Sequence, residues 1–289
     1  MDTPSKLKWR PPKEDTIIFT QTSCGLDFDG RQACAVESAA RHHGNRSVIV
    51  YVTAPFIDMS HPLIKVKFNH QCIFISDACR TEILRKYGGT YLDLDALTLR
   101  PLPNRTNYLG RLNSQSINNA VLSLVKGHPL SQTLANSIPE AFDPFNGTSI
   151  GPSLLYPALR DMCPGNLTNS THTRSLSDAF NEDEVSAYLE DTSPYLQTPE
   201  TCSDLTVFPQ KMFYPINCKT GERFLLFLGG HGYGEKFLRF SKAYILHLSN
   251  SLTEQNIAQT GGDSILEEVM RRNCPDVHHY VRTNVGHLR

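Results

Sequence analysis

Short, dense apolar runs alternate along the chain with longer segments of helical periodicity. Ile17-Ile18-Phe19 is an apolar triplet between polar neighbours, the pattern of a buried strand. Over residues 31–43, Ala33, Val36, Ala39 and Ala40 recur at helical spacing, and Gly44-Asn45 stops the helix they predict. Residues 47–53 (Ser-Val-Ile-Val-Tyr-Val-Thr) are rich in β-branched side chains and predict a buried strand. Strand, helix, strand in that order is the unit of a parallel sheet. A second helix is predicted over 77–87, with Ser76 as its N-cap and Gly88-Gly89 as its stop. Thr90-Tyr91-Leu92 then starts a third strand that leads into Asp93-Leu94-Asp95. Weaker signals predict strands over 120–125 and 244–248, and helices over 130–138, 153–162 and 263–272. Phe224 to Leu228 reads as a short buried segment, and 163–206 as polar loop. Residues 1–15 are polar and proline-containing, a linker, which leaves 16–289 as a single α/β domain with a looser C-terminal third.

Charge removes one class of partner. Twenty-eight basic and 29 acidic side chains give a net charge of −1, and no Lys/Arg run stands out, which argues against nucleic acid. No run approaches the roughly 18–20 apolar residues of a membrane span. The start Met1-Asp2-Thr3-Pro4 has neither the basic nor the apolar region of a signal peptide, which taken literally predicts a cytosolic protein. Two features oppose that. The 8 cysteines are dispersed, with no CxxC pair, as suits disulfides in an oxidising compartment. Asn-x-Ser/Thr sequons occur at Asn45, Asn104, Asn146, Asn166 and Asn169. Together they predict a lumenal protein whose targeting segment is not part of this chain.

The chemistry concentrates in Ser76-Asp77-x-x-Arg80 and Gly88-Gly89-Thr90-Tyr91-Leu92-Asp93-Leu94-Asp95. Asp93 and Asp95 share a face if the strand continues. If it ends there, both carboxylates project at its C-terminal edge, where parallel sheets bind ligands. Two such oxygen donors suit a hard divalent cation that also holds phosphates. Asp77 and Arg80 lie one helical turn apart, within reach of a sugar hydroxyl and of phosphate or ribose respectively. Gly88-Gly89 allows a sharp turn and close approach to a bulky ligand. Taken singly, a DxD, a glycine pair and an i,i+3 ion pair are common structural features. Their order within 20 residues is what carries information.

With these pieces in order, the chain resembles the family of lactosylceramide α-1,4-galactosyltransferases and α-1,4-N-acetylglucosaminyltransferases, and most of all their insect members. The matching residues are Phe19 to Cys24, Arg31 to Ala40, Ser76 to Arg80, Gly88 to Asp95, Asn118-Asn119-Ala120, Gly151 to Leu155, Phe213 to Ile216 and Cys274-Pro275. The SD-x-x-R…GG-x-Y-x-D-x-D core is also shared with sugar-transferring clostridial toxins. The resemblance implies a GT-A-like (Rossmann-type) α/β fold with a mixed, mainly parallel sheet, and a retaining hexosyltransferase. It implies Mn²⁺ as cofactor, a UDP-sugar donor and a galactose-type acceptor on a glycolipid (lactosylceramide-like) or glycoprotein. It also implies a type II protein of the Golgi membrane, acting on the lumenal side, with its anchor absent from this chain. Asp93, Asp95 and His247 become the metal ligands, and Asp77, Arg80, Gly88, Gly89, Asp93, Asn118 and Asn119 the donor site. Cys163 and Cys202 match family cysteines that pair. No Asp or Glu is singled out as a nucleophile.

The chain departs from the family in places. Only Ala54 to Ile75 separate the second strand from the Ser-Asp-x-x-Arg helix, where the family has several dozen residues. Ser249 stands where the family's His-x-Trp-Asn motif has Trp, and the sole Trp is Trp9. These departures define an alternative, a catalytically impaired homologue that binds UDP, a glycan or a partner enzyme. A haloacid-dehalogenase-type phosphatase, which also ends a strand in DxD, requires Thr or Val where Leu97 stands.

Overall fold

The computed structural model describes residues 11–22, 28–52, 71–113, 116–164, 199–218 and 221–288. Cys24, Asn166, Asn169, most of the 54–75 segment and most of the predicted 163–206 loop lie outside the described residues.

The first strand, β1 (Ile17–Gln21), is followed by α1 (Gly30–His42), β2 (Val48–Val52), α2 (Gln71–Tyr87) and β3 (Gly89–Leu92). Asp29 caps α1 with a reciprocal capping box to Gln32. Next come β4 (Ala96–Thr98), β5 (Tyr108–Asn113), β6 (Ser116–Leu124), α3 (Pro129–Ala141), α4 (Pro152–Met162), β7 (Glu200–Cys202), β8 (Leu205–Phe208) and β9 (Ile245–His247). The central sheet has seven strands in the order β2-β1-β3-β6-β5-β8-β7. β1 pairs in parallel with β2 and β3, and β5 with β8, whereas β6 and β7 run against their neighbours. Most strands thus share one direction in the expected α/β arrangement.

Strand alternation divides the interior into two cores. Ile17, Phe19, Leu92 and Tyr108 point to one face, with α1 and the C-terminal helices. Ile18, Tyr91, Leu109 and Leu122 point to the other, under α3 and α4. Val48–Val52, expected to be buried, is the edge strand and is only partly covered, because among the described residues nothing pairs with its outer side.

Three sequence expectations need correction. α2 begins at Gln71, so Ser76 lies inside the helix and is not its N-cap. Its hydroxyl turns instead toward Thr20, Tyr91 and Arg80. The 163–206 stretch contains β7 and the start of β8, which pair with each other, and 108–113 forms β5, whose parallel pairing with β8 joins strands about 100 positions apart. After the predicted 263–272 helix (observed as Ile265–Asn273) comes another, Pro275–Asn284.

Cys163 and Cys202 form a disulfide, the pair that the resemblance implied. A second joins Cys34 on α1 to Cys274, between the last two helices. Sequon residues Asn45, Asn104 and Asn146 are exposed. Among the described residues no helix is long and apolar enough to cross a membrane.

Candidate active site

β3 stops at Leu92, and Asp93-Leu94-Asp95 forms a tight turn closed by Ala96 N–H donating to Asp93 O at 2.9 Å. The two carboxylates therefore project at the C-terminal edge of the parallel strands, the second of the two geometries the sequence allowed. The chain then enters β4, which pairs antiparallel with β9 in a register that sets Ala96 opposite His247. That register brings a residue some 150 positions away beside the DxD turn. Leu248 N–H donates to Asp95 O at 2.9 Å, and Asn250 N–H to Asp95 Oδ2 at 2.7 Å.

His247 Nε2 lies 3.2 Å from Asp95 Oδ1 and 3.9 Å from Asp93 Oδ2. One ligand atom from each of the three residues falls within 4.8 Å of the others. Two carboxylate oxygens and an imidazole nitrogen form a donor set that suits Mn²⁺ or a similar divalent cation. Without a cation, burial alone would lower the His247 pKa, but Asp95 and Asp93 reverse this and hold it up at about 10. Burial works against ionising Asp95 too, yet His247 and the Asn250 amide keep its pKa below the usual carboxylate value. A proton on His247 thus supplies the positive charge that a metal would bring.

A second group of charges adjoins the first. Arg80 Nη2 is 3.0 Å from Asp93 Oδ1 and 3.2 Å from Asp77 Oδ1, and the guanidinium stacks 4.5 Å above the Tyr91 ring. Burial opposes the charge on Arg80, but Asp93, Tyr91 and Asp77 outweigh it and raise its pKa. Asn119 Nδ2 donates to Asp77 Oδ1 at 2.8 Å, and its carbonyl accepts from Arg80 Nη1 at 3.0 Å. Asp77 Oδ2 is buried and has no hydrogen-bond partner among the described residues. Desolvation pushes the Asp77 pKa up, against the pull of Arg80. An orphaned buried acceptor is costly unless a ligand satisfies it. Gly151 approaches this oxygen so closely that a Cβ there would lie 2.3 Å from it.

Both groups line a cavity of about 1000 Å³, together with Thr20 and Thr22 from the end of β1, Asn118, and Tyr214. Asn118 presents its carbonyl to the Tyr214 hydroxyl at 3.5 Å and uses its own side chain to cap Ala120 N–H. Asp77, Arg80, Asp93, Asp95, Asn118, Asn119 and His247 thus converge on one cavity.

Gly88 and Gly89 do not join them. They sit at the opposite end of β3, with φ of +71° and +113°, where a Cβ would lie 2.6 Å from Lys126 N and 2.8 Å from Thr16 O. Their absence of side chains serves the helix-to-strand turn and tight backbone packing, not contact with a ligand.

The motif reading also overlooked Tyr91. Its hydroxyl donates to Asp93 Oδ1 at 2.9 Å, and it packs under Arg80. The signal was available, since residues two apart on a strand share a face.

Two family models match the chain. A glycosyltransferase sugar-binding region containing a DXD motif spans residues 29–116, and an alpha 1,4-glycosyltransferase conserved region spans 185–281. The lactosylceramide 4-alpha-galactosyltransferase of Gorilla gorilla gorilla is 25% identical over 92% of this chain and 84% of its own length. The Homo sapiens protein of the same name is 24% identical over 96% and 80%. Human alpha-1,4-N-acetylglucosaminyltransferase is 24% identical over 69% of this chain and 49% of its own length. Among solved structures, PaToxG glycosyltransferase overlaps 55% of this chain at 16% identity and a TM-score of 0.38, a likeness too loose to argue from. One matched region contains Asp93 and Asp95 and the other His247, and the fold closes them into a single cluster. The chain is therefore a glycosyltransferase, a hexosyltransferase that carries both an α-1,4-glycosyltransferase conserved region and a DXD sugar-binding region.

Proposed function

We propose that the enzyme moves a hexose, galactose or an N-acetylhexosamine, from a UDP-sugar to a galactose-type acceptor on a glycolipid or glycoprotein. Transfer forms an α-1,4 linkage and retains the anomeric configuration. The supporting observation is the convergence of Asp93, Asp95 and His247 next to the orphaned Asp77 Oδ2, all on one cavity. In this reading Asp93, Asp95 and His247 hold Mn²⁺, which when bound neutralises charge developing on the departing diphosphate. Asp77 Oδ2 accepts a hydroxyl of the donor sugar, and Asn119 and Arg80 keep that carboxylate oriented. Arg80, itself held by Asp93 and Tyr91, adds positive potential where the diphosphate leaves. Thr20 and Thr22 wall the side on which the nucleotide lies. The two disulfides support action in an oxidising lumen, which in this reading is that of the Golgi.

Calorimetric titration of UDP into the purified chain, with and without Mn²⁺, tests the donor site. Binding that requires the metal, followed by turnover of UDP-galactose or a UDP-N-acetylhexosamine on a galactose-ended acceptor, is the expected result. Ser249 in the place of the family Trp favours a second reading, a homologue that binds without turnover. Metal-dependent UDP binding with no transfer to any of these acceptors would establish it. A folded protein that ignores UDP with and without Mn²⁺ would reject the donor site itself.

A further inference from the structure

Ser249 follows β9 at the point where the chain turns away from His247. Its φ of +51° is left-handed, a region that non-glycine residues rarely occupy. The turn is held on both sides, by the Leu248 and Asn250 amides on Asp95 and by the Thr253 hydroxyl on Leu248 O at 2.8 Å. Strained backbone held this firmly is a mark of a functional position. The conformation places Ser249 Oγ 3.1 Å from His247 Nδ1, while the other ring nitrogen faces Asp95 and Asp93. Beyond the hydroxyl lies the buried Cys218 thiol, within hydrogen-bonding reach of Ser249 and donating to Leu248 O at 3.5 Å. A hydroxyl between an imidazole and a thiol sulfur can accept from Nδ1–H and donate onward to the sulfur. In that direction Nδ1 carries the proton and Nε2 keeps its lone pair.

We propose that Ser249 is a positioning residue of the metal site: its hydroxyl accepts the Nδ1–H of His247, fixes the ring plane and leaves Nε2 as the ligand atom. The inference rests on His247 being a ligand. Such outer hydrogen bonds set the tautomer and orientation of metal-bound imidazoles generally. Ser249 reaches His247 from the same turn that clamps Asp95, so one short segment orients two of the three ligands.

The test is Mn²⁺ titration followed by electron paramagnetic resonance, paired with ¹⁵N-histidine spectra of the Mg²⁺-loaded protein. Ser249→Ala is expected to weaken Mn²⁺ binding about 10- to 100-fold with an unchanged thermal midpoint. Ser249→Gly suits the left-handed backbone better and should lose the same affinity while melting no lower than Ser249→Ala, which separates loss of the hydroxyl from loss of fold. In the wild type the His247 nitrogens should read as protonated Nδ1 and coordinated Nε2. Mn²⁺ affinity within twofold of wild type in both variants, or a proton on Nε2 in the loaded protein, would overturn the proposal. His247→Asn separates the two levels. If it loses Mn²⁺ while the Ser249 variants do not, only the role of Ser249 fails. If it binds like wild type, the ligand reading fails as well.

Discussion

His43 and His247 are both buried, one at each edge of the central sheet, and their surroundings drive them in opposite directions. His43 lies where α1 ends, among the N-terminal ends of the parallel strands. Its Nδ1 donates to Ala39 O at 2.9 Å and its Nε2 accepts the Leu102 N–H at 2.8 Å, so both nitrogens are satisfied by backbone in the neutral form. Burial lowers its pKa. His247, at the C-terminal edge, faces two carboxylates that raise its pKa to about 10. At the first edge both ring nitrogens of the histidine are satisfied by backbone. The second holds unbalanced charge, an orphaned carboxylate oxygen and strained backbone at Ser249. A protein tolerates such imbalance where a ligand completes it.

The contrast breaks first at Asp95. Asp95→Asn keeps an acceptor for the Asn250 amide but removes the charge, so we expect metal-dependent UDP affinity to fall at least about a hundredfold, roughly 2.7 kcal/mol, with the fold intact. Calorimetry with Mn²⁺ reads this, and affinity equal to wild type would remove Asp95 from the metal site. At the other edge, Gly89→Ala meets both an unfavourable φ and the Thr16 carbonyl, so a loss of about 2 kcal/mol in unfolding free energy is expected. Nucleotide affinity of the folded fraction should not change. If affinity fell while stability held, the glycine pair would belong to the donor site after all.

The smallest effect separates the two histidines by pH. An unfolded histidine takes up a proton near its ordinary value of 6.5, whereas folded His43 resists it, so stability falls as pH drops below that value, by up to about 1.4 kcal/mol per pH unit. His247 has the opposite sign: in the metal-free protein its contribution is complete below 6.5 and is lost as pH rises toward about 10. His43→Gln retains an acceptor for Leu102 and should flatten only the acid side of a denaturation-against-pH curve. An unaltered acid slope would show that another group governs it.

Much of this arrangement was visible in the sequence, for physical reasons that also explain what was not. β1, α1 and the DxD edge announce themselves through local periodicity and stop signals, which depend on neighbours in the chain. The ring of His247 could be placed beside Asp95 only through a family motif, because the β4–β9 register that joins them is set by tertiary pairing. β5 was hidden because Gly110 and Arg111 interrupt its apolar pattern. Gly110 is required there by the Phe213 ring, 2.5 Å from where a Cβ would sit. The roles of Gly88 and Gly89 were misassigned since a motif records which residues occur together, not which way each faces. The partner of Cys34 was likewise out of reach, as nothing near either cysteine encodes the other.

That last bond has a consequence in time. Cys34 and Cys274 are separated by 240 positions, so during synthesis at 5–20 residues per second the first thiol waits roughly 12 to 48 s for its mate to be made. By then every strand of the seven-stranded sheet has been synthesised, and Cys79 and Cys163 have passed as competing partners. The clasp therefore records completion. It ties the first helix of the chain to the last two, and it can close only once Cys274 has been made.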